Sequence, residues 1–279
     1  MFRLHHIHLL GPDPEVTARW YIEMLGATLV SDSPNHEEGS LEIMLAGVLI
    51  RIDDGPKGQF LPSGTTNRYY GLEHFGLETN DLANVLTRAQ ARNVDVLRPL
   101  GPGKEGNNVS DTKADIKGPD ELRIEFQQPA FYWEPVGGQH DFSEMLRFHH
   151  LHIRATDPWG TARWWANVFG GNIAGEFGDS QTDRIRLTIG GTMINVSGPQ
   201  PGHPTHPGHP GPHYGLDHFG LETHDINHAL DQLRNKSIIP IGRVSQTPDG
   251  SKVVTVDGPD QVRVELVQLT NSTTSGSAG

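Results

Sequence analysis

Two twelve-residue segments of the sequence, "YGLEHFGLETND" and "YGLDHFGLETHD", are nearly identical, and each carries a histidine at the same place, His74 and His218. Both segments are typical of strands, in which side chains two residues apart share one face. If apolar Phe75 and Leu77 pack on the core, the histidines face the other way. Imidazole binds metals and moves protons near neutral pH, so both are candidates for chemistry.

Other polar residues occupy the same predicted face. In "LHHIHLL" the apolar residues alternate with His6 and His8, and in "ELRIEFQ" they alternate with Arg123 and Glu125. The second copy of each segment supplies His150, His152, Arg263 and Glu265. A polar lining of this kind must be satisfied by water, substrate or metal.

The spacing that relates His74 to His218 also relates "HHIHLLGPDPEVTARWY" to "HHLHIRATDPWGTARWW" and, with a shortened loop, "GPDELRIEF" to "GPDQVRVEL". The chain is therefore a duplication. We predict domains at 1–128 and 146–269, a linker at 129–145 and a disordered tail at 270–279. Each half reads as strand, helix and two or three strands, twice over. The fold prediction is α+β, with four βαβββ modules.

The bulk composition excludes several functions. The 279 residues suffice for two domains, and 35% hydrophobic with 20% charged residues is ordinary for a globular protein. The absence of cysteine excludes disulfides and thiolate chemistry and fits a cytoplasmic location. A net charge of −12 argues against nucleic-acid or membrane partners. We expect a monomer or homo-oligomer that binds a small-molecule substrate.

In the order and spacing of these motifs, the chain resembles the vicinal oxygen chelate superfamily of glyoxalases, bleomycin-resistance proteins and extradiol dioxygenases. The resemblance covers about residues 4–128 and 148–268. The opening strand with its histidine, "WYIEMLG", "HFGLETND" and "GPDELRIE" carry it. It implies that paired βαβββ modules form cupped sheets, each with a divalent metal inside.

The resemblance also implies the metal ligands, which are His6, His74, Glu125, His150, His218 and Glu265. Two imidazoles and one carboxylate suit Fe(II), with Mn(II), Zn(II) or Ni(II) as alternatives. Pairing of modules within each half would group the first three and the last three. Swapped pairing would join His6 to His218 and Glu265, and His150 to His74 and Glu125. The sequence leaves both arrangements open.

A fourth position distinguishes the reactions of the family. Where glyoxalase-like members carry Glu or Gln, this chain has Arg51 and Asn195, which are predicted to line the substrate space with Arg123 and Arg263. Arginine is neither ligand nor base, so glyoxalase chemistry is in doubt. Asp53 could replace the missing carboxylate, but Ser197 in the second copy could not. Within-half pairing would place Arg51 beside the first metal, so the second half is expected to bind metal more tightly.

Three functions remain open. The three-ligand set favours an Fe(II) dioxygenase acting on a catechol, hydroquinone or 2-oxo acid. The alternatives are a metal-dependent lyase or isomerase and a non-enzymatic resistance protein. Ring-cleaving members of the family place an acid–base histidine and a tyrosine between the last two ligands. This chain has no tyrosine there and no well-placed histidine, so His8 and His152 are the predicted catalytic residues. The histidine-rich tract "PGHPTHPGHPGPHYG" is interpreted as a loop at the mouth of a cup.

Overall fold

The computed structural model describes residues 2–30, 40–56, 59–62, 69–99, 113–128, 146–176, 184–199 and 213–270. The predicted linker at 129–145, the tail beyond Thr270 and most of the histidine-rich tract lie outside these residues, so the domain boundaries stay predictions. No helix among the described residues is long and apolar enough to cross a membrane.

The predicted βαβββ order occurs four times. The first two modules contain β1 (Arg3–Leu10), α1 (Pro14–Leu25), β2 (Thr28–Leu29), β3 (Ser40–Leu45) and β4 (Val48–Asp53), then β5 (Gly71–Thr79), α2 (Leu82–Ala91), β6 (Val96–Arg98), β7 (Lys113–Lys117) and β8 (Arg123–Gln127). The last two contain β9 (Leu146–Arg154), α3 (Pro158–Phe169), β10 (Asn172–Glu176), β11 (Arg184–Ile189) and β12 (Thr192–Ser197), then β13 (Gly215–Glu222), α4 (Ile226–Asn235), β14 (Ile241–Gln246), β15 (Lys252–Asp257) and β16 (Arg263–Gln268).

Each helix begins directly after an aspartate whose carboxylate accepts a backbone N–H of the first turn; these caps are Asp13, Asp81, Asp157 and Asp225. α1 and α3 end at Gly26 and Gly170, both in the left-handed conformation with φ 71°. These start and stop signals are local, which explains why the helices could be predicted.

The strands form two eight-stranded sheets, and each sheet contains one module from each half. The first sheet has the order β14-β15-β16-β13-β1-β4-β3-β2, and the second has the order β10-β11-β12-β9-β5-β8-β7-β6. β1 pairs antiparallel with β13, and β5 pairs in the same way with β9. The structure therefore selects the swapped pairing that the sequence left open. Grouping the ligands within one half is wrong.

The apolar strand faces pack against the helices, as alternation predicts. Ile7, Phe75 and Phe219 are fully buried there, together with Trp165 of α3. The opposite faces of the two central strand pairs carry the histidines. Burial of the apolar face thus fixes the register in which the polar residues meet.

Candidate metal and acid–base site

The first sheet brings together His6 of β1, His218 of β13 and Glu265 of β16, here called the first-sheet site. Their ligand atoms all lie within 4.8 Å of one another. His6 Nε2 is buried, lies 3.4 Å from Glu265 Oε2 and makes no hydrogen bond within the described part of the chain. A buried imidazole nitrogen without a partner is costly unless something else binds it.

A chain of hydrogen bonds orients the histidines of the first-sheet site. Asp217 Oδ2 lies 2.6 Å from His218 Nδ1, which is 3.0 Å from His8 Nδ1. His8 Nε2 in turn lies 2.7 Å from Asp53 Oδ2. This network assigns a proton to His218 Nδ1 and another to His8 Nε2. It leaves the lone pairs of His218 Nε2 and His8 Nδ1 for other partners.

Neighbouring groups keep the two histidine ligands neutral. Burial, with a smaller contribution from His8, lowers the pKa of His218 to about 4, although Asp217 opposes this. Burial and then Arg51 hold the pKa of His6 well below its usual range. Burial also raises the pKa of Glu265. Neutral imidazoles beside a carboxylate whose charge is poorly compensated form a donor set that fits a divalent cation.

Asp217 and its counterpart Glu73 were missed by the sequence reasoning. Alternation assigns them to the apolar face, opposite to the histidine that follows each. In the antiparallel ladders, however, His8 pairs with His218 and Leu9 with Leu216, so Asp217 is an extra residue. Glu73 is skipped in the same way between Leu72 and His74. Such bulges re-aim one side chain, here toward the histidines.

The same ladders skip His5 and His149, each next to a predicted ligand. His5 Nδ1 lies 2.9 Å from His6 Nδ1, and His149 Nδ1 lies 2.8 Å from His150 Nδ1. A donor–acceptor pair at Nδ1 leaves Nε2 of His6 as the nitrogen that faces Glu265. In the sequence, the only local sign of His5 and His149 as partners of the ligands is the repeated "HH".

The glycine in each "HFGLE" segment makes room for a histidine ring from the neighbouring strand. A Cβ atom at Gly220 would lie 2.3 Å from His6 Cε1 and Nδ1. A Cβ atom at Gly76 would lie 2.1 Å from His150 Cε1. The repeated motif is therefore explained by the close approach of strand and imidazole.

The second sheet brings together His74 of β5, His150 of β9 and Glu125 of β8, here called the second-sheet site. Glu125 lies 4.0 Å from His74 Nε2 and 3.8 Å from His150 Nε2. The group of ligand atoms close enough to share a metal consists instead of His74, His150 and His152. His152 Nε2 lies 2.7 Å from Ser197 Oγ, where His8 has the carboxylate of Asp53.

Arg123 lies against His74 in the second-sheet site. Its Nη2 is 2.6 Å from His74 Nδ1 and 3.3 Å from Nε2. A guanidinium group only donates hydrogen bonds, so it assigns an acceptor role to His74 Nδ1 and the proton to Nε2. Arg263, the counterpart of Arg123, is instead 43% exposed and lies 3.5 Å from Asp217. The donor set of the second-sheet site therefore does not fit a metal between His74 and Glu125.

The predicted effect of Arg51 changes with the swapped pairing. Arg51 lies in the first-sheet site, but its Nε donates to Glu42 Oε1 at 2.7 Å, and its Nη1 is 3.6 Å from Glu265. A carboxylate thus offsets the guanidinium charge that was expected to repel the metal. Asn195 is buried in the second sheet, opposite His152 in the ladder.

Comparisons with known proteins agree with this architecture. The family model described as "Glyoxalase/Bleomycin resistance protein/Dioxygenase superfamily" matches residues 3–126 and 147–266. Glyoxalase I from Zea mays is similar in structure, with a TM-score of 0.68, 16% identity, and coverage of 96% of this chain and 92% of that chain. A putative dioxygenase from Bacillus subtilis gives a TM-score of 0.61 and 15% identity, covering 95% and 84%. No curated protein sequence matches this chain. At these identities the structural likeness extends to the fold alone.

Proposed function

Because the chain belongs to the Glyoxalase/Bleomycin resistance protein/Dioxygenase superfamily, we propose that it is a metal-dependent enzyme whose active site is the first-sheet site. His6, His218 and Glu265 would hold the metal, with Fe(II) favoured over Mn(II), Zn(II) or Ni(II). The proposed reaction is dioxygenation of a small substrate with vicinal oxygens, such as a catechol, hydroquinone or 2-oxo acid. A cytoplasmic location and a monomeric or homo-oligomeric state complete the proposal.

The observation that carries this proposal is that two imidazoles and a carboxylate, those of His6, His218 and Glu265, bring their ligand atoms within 4.8 Å of one another, whereas Glu125 does not belong to the corresponding group of the second-sheet site. His6 Nε2 is also buried and makes no hydrogen bond among the described residues, as is true of His150 Nε2 in the second-sheet site. Three protein ligands leave coordination positions for a bidentate substrate and for oxygen. When bound, such a metal would supply Lewis-acid polarisation of the substrate oxygens and the redox chemistry that activates dioxygen.

His8 is the proposed acid–base residue of the first-sheet site. Its Nδ1 carries the lone pair and lies 3.0 Å from His218 Nδ1, so this nitrogen would accept a proton from a substrate hydroxyl group that replaces this contact. The carboxylate of Asp53 accepts a hydrogen bond from His8 Nε2 at 2.7 Å and would stabilise the positive charge that His8 acquires. In the second-sheet site, Ser197 takes the place of Asp53 and cannot provide this charge, so His152 is the weaker candidate.

A lyase or isomerase reaction is the second candidate, and Asp53 favours it. Glyoxalase-like chemistry needs a carboxylate near the metal to move a proton. Asp53 is two residues from the position that Arg51 occupies and is joined to His8, itself beside the predicted ligand His218. In this alternative the pair Asp53–His8 would transfer a proton between two carbon atoms of the substrate.

The dioxygenase and the lyase or isomerase reactions are distinguished by loading the protein with metal under anaerobic conditions and then adding oxygen and substrate. The metal-free protein is loaded with Fe(II), Mn(II), Ni(II) or Zn(II), and oxygen uptake is followed on catechols, hydroquinones and 2-oxo acids. Uptake with Fe(II) that is lost in His218→Ala and kept in His74→Ala supports the dioxygenase. Turnover of a substrate without oxygen uptake, with any of the metals, supports the lyase or isomerase instead.

A further inference from the structure

Glu125 of the second-sheet site is hydrogen-bonded to two cations of the chain, one of which, Arg98, is shared with Asp115 at 2.7 Å. Lys113 Nζ lies 2.8 Å from its Oε1, and Arg98 Nη2 lies 3.1 Å from its Oε2. Glu125 is buried, and its side chain is only 8% exposed. Both carboxylate oxygens are thus engaged in charge-assisted hydrogen bonds.

Glu265, the counterpart of Glu125, has no such pair of cations among the residues that the structure describes. The ladder position that matches Lys113 is occupied by Val253, which faces Val267 as Lys113 faces Gln127. Arg51 approaches Glu265 only to 3.6 Å and donates to Glu42.

Asp217 and Glu73, the carboxylates that precede His218 and His74, also differ in how far cations of the chain compensate their charge. Asp217 is 2.6 Å from His218 Nδ1 and keeps that proton in the orientation a metal ligand needs. Arg154 Nη2 donates to both carboxylate oxygens of Glu73, at 2.9 and 3.0 Å, and Glu73 lies 3.3 Å from His74 Nδ1. Arg154 occupies the position that Leu10 has in the first copy.

Among the described residues, the charges around the two sites are therefore opposite in balance. The first-sheet site has more carboxylates than cations, namely Glu42, Asp53, Asp217 and Glu265 against Arg51 and Arg263. The second-sheet site has more cations than carboxylates, namely Arg98, Lys113, Arg123 and Arg154 against Glu73, Asp115 and Glu125. A divalent ion gains energy in the first environment and loses it in the second.

We propose that Lys113 and Arg98 beside Glu125, together with Arg123 beside His74, occupy in electrostatic terms the place of the metal in the second-sheet site, so that the chain binds a single divalent ion. The second-sheet site then has a structural role, in which ion pairs within the chain take over the charge compensation of Glu125 that a metal would otherwise provide. This inference rests on the proposed function for the assignment of the first-sheet site as the metal site.

The test is metal stoichiometry, with Mn(II) as the probe, by equilibrium dialysis of the full chain and elemental analysis. We expect one equivalent per chain in the wild type, almost none in Glu265→Ala, and one in Glu125→Ala. Two equivalents in the wild type would overturn the inference alone. No bound metal would overturn both proposals, and one equivalent without oxygen uptake would overturn only the dioxygenase reaction.

The cause is tested by the triple variant Lys113→Val, Arg98→Ala and Arg123→Ala, which removes the two cations beside Glu125 and the guanidinium group beside His74. It should bind a second equivalent of Mn(II); if it still binds one, these cations do not exclude the metal and the assignment is wrong. A second readout does not depend on metal uptake. In EDTA, Glu125→Gln should lower the thermal midpoint by several degrees, whereas Glu265→Gln should leave it unchanged or raise it. Equal midpoints would contradict the internal ion-pair role.

Discussion

Replacement of Gly220 by alanine should remove the metal without unfolding the chain. The added Cβ would lie 2.3 Å from His6 Cε1 and Nδ1 and 3.1 Å from Nε2, whereas ordinary contacts begin at 3.4 Å. The imidazole must therefore move by about 1 Å, roughly twice the displacement that a preorganised site tolerates. Gly220 does not have a positive φ, so its backbone accepts alanine.

The expected loss of metal affinity follows from the role of the displaced group. Altering a partner that only orients a ligand typically costs about 10–100-fold in metal affinity. Displacing the ligand His6 itself should cost about 100-fold or more. Alanine restricts the unfolded chain more than glycine does, which offsets part of the steric cost to stability.

The assay is titration of the metal-free protein with Mn(II), with circular dichroism as the folding check. Gly76→Ala is the matched control, because its Cβ would lie 2.1 Å from His150 Cε1 in the second-sheet site. We expect Gly76→Ala to retain wild-type affinity. A folded Gly220→Ala protein with unchanged affinity would refute the argument from close packing, and equal losses in both variants would refute the assignment to one sheet.

Three further predictions concern orientation, reaction and stability. Asp217→Asn should lower Mn(II) affinity about 10–100-fold, and Glu73→Gln should not, as measured by the same titration. The protein should not convert the methylglyoxal–glutathione hemithioacetal; robust product formation in a spectrophotometric assay with any common divalent metal would contradict this. Asp120→Asn should stabilise the chain above pH 6 by about 1 kcal/mol, discounted for a half-exposed group, because burial raises the pKa of Asp120 to about 6. A raised carboxyl pKa costs stability as pH rises from about 4 to 6, so denaturant unfolding at pH 4 should show no gain.

Asp260, the residue equivalent to Asp120 in the second half of the chain, provides the control for the Asp120→Asn variant. Asp260, at the equivalent position, accepts the backbone N–H of Thr156 at 3.1 Å. In the first copy Pro12 stands in the place of Thr156 and has no N–H to donate. Asp260→Asn should therefore give no comparable stabilisation. An equal gain in both variants at pH 7 would mean that desolvation of Asp120 is not the cause.

Local patterns were sufficient for the modules and for the family. The four aspartate caps and the glycines at helix ends are read within a few residues, and the strand alternation placed Ile7 in the core and His6 opposite it. The helical spacing of the apolar residues Val16, Trp20 and Met24 predicts less well which face of α1 is buried. Val16 is 57% exposed, and the helix buries Tyr21 and Met24 instead, because the sheet covers only part of its circumference.

What only the tertiary structure decided is which modules meet and which side chains leave the alternating pattern. Identical motifs in the two halves can pair in either arrangement with the same local interactions, so the sequence contains no preference that short-range reasoning can read. The bulges at Asp217 and Glu73 exist only in relation to a partner strand. Charge pairing between distant residues, such as Arg51 with Glu42 and Lys113 with Glu125, likewise follows from the ladder register and not from any motif.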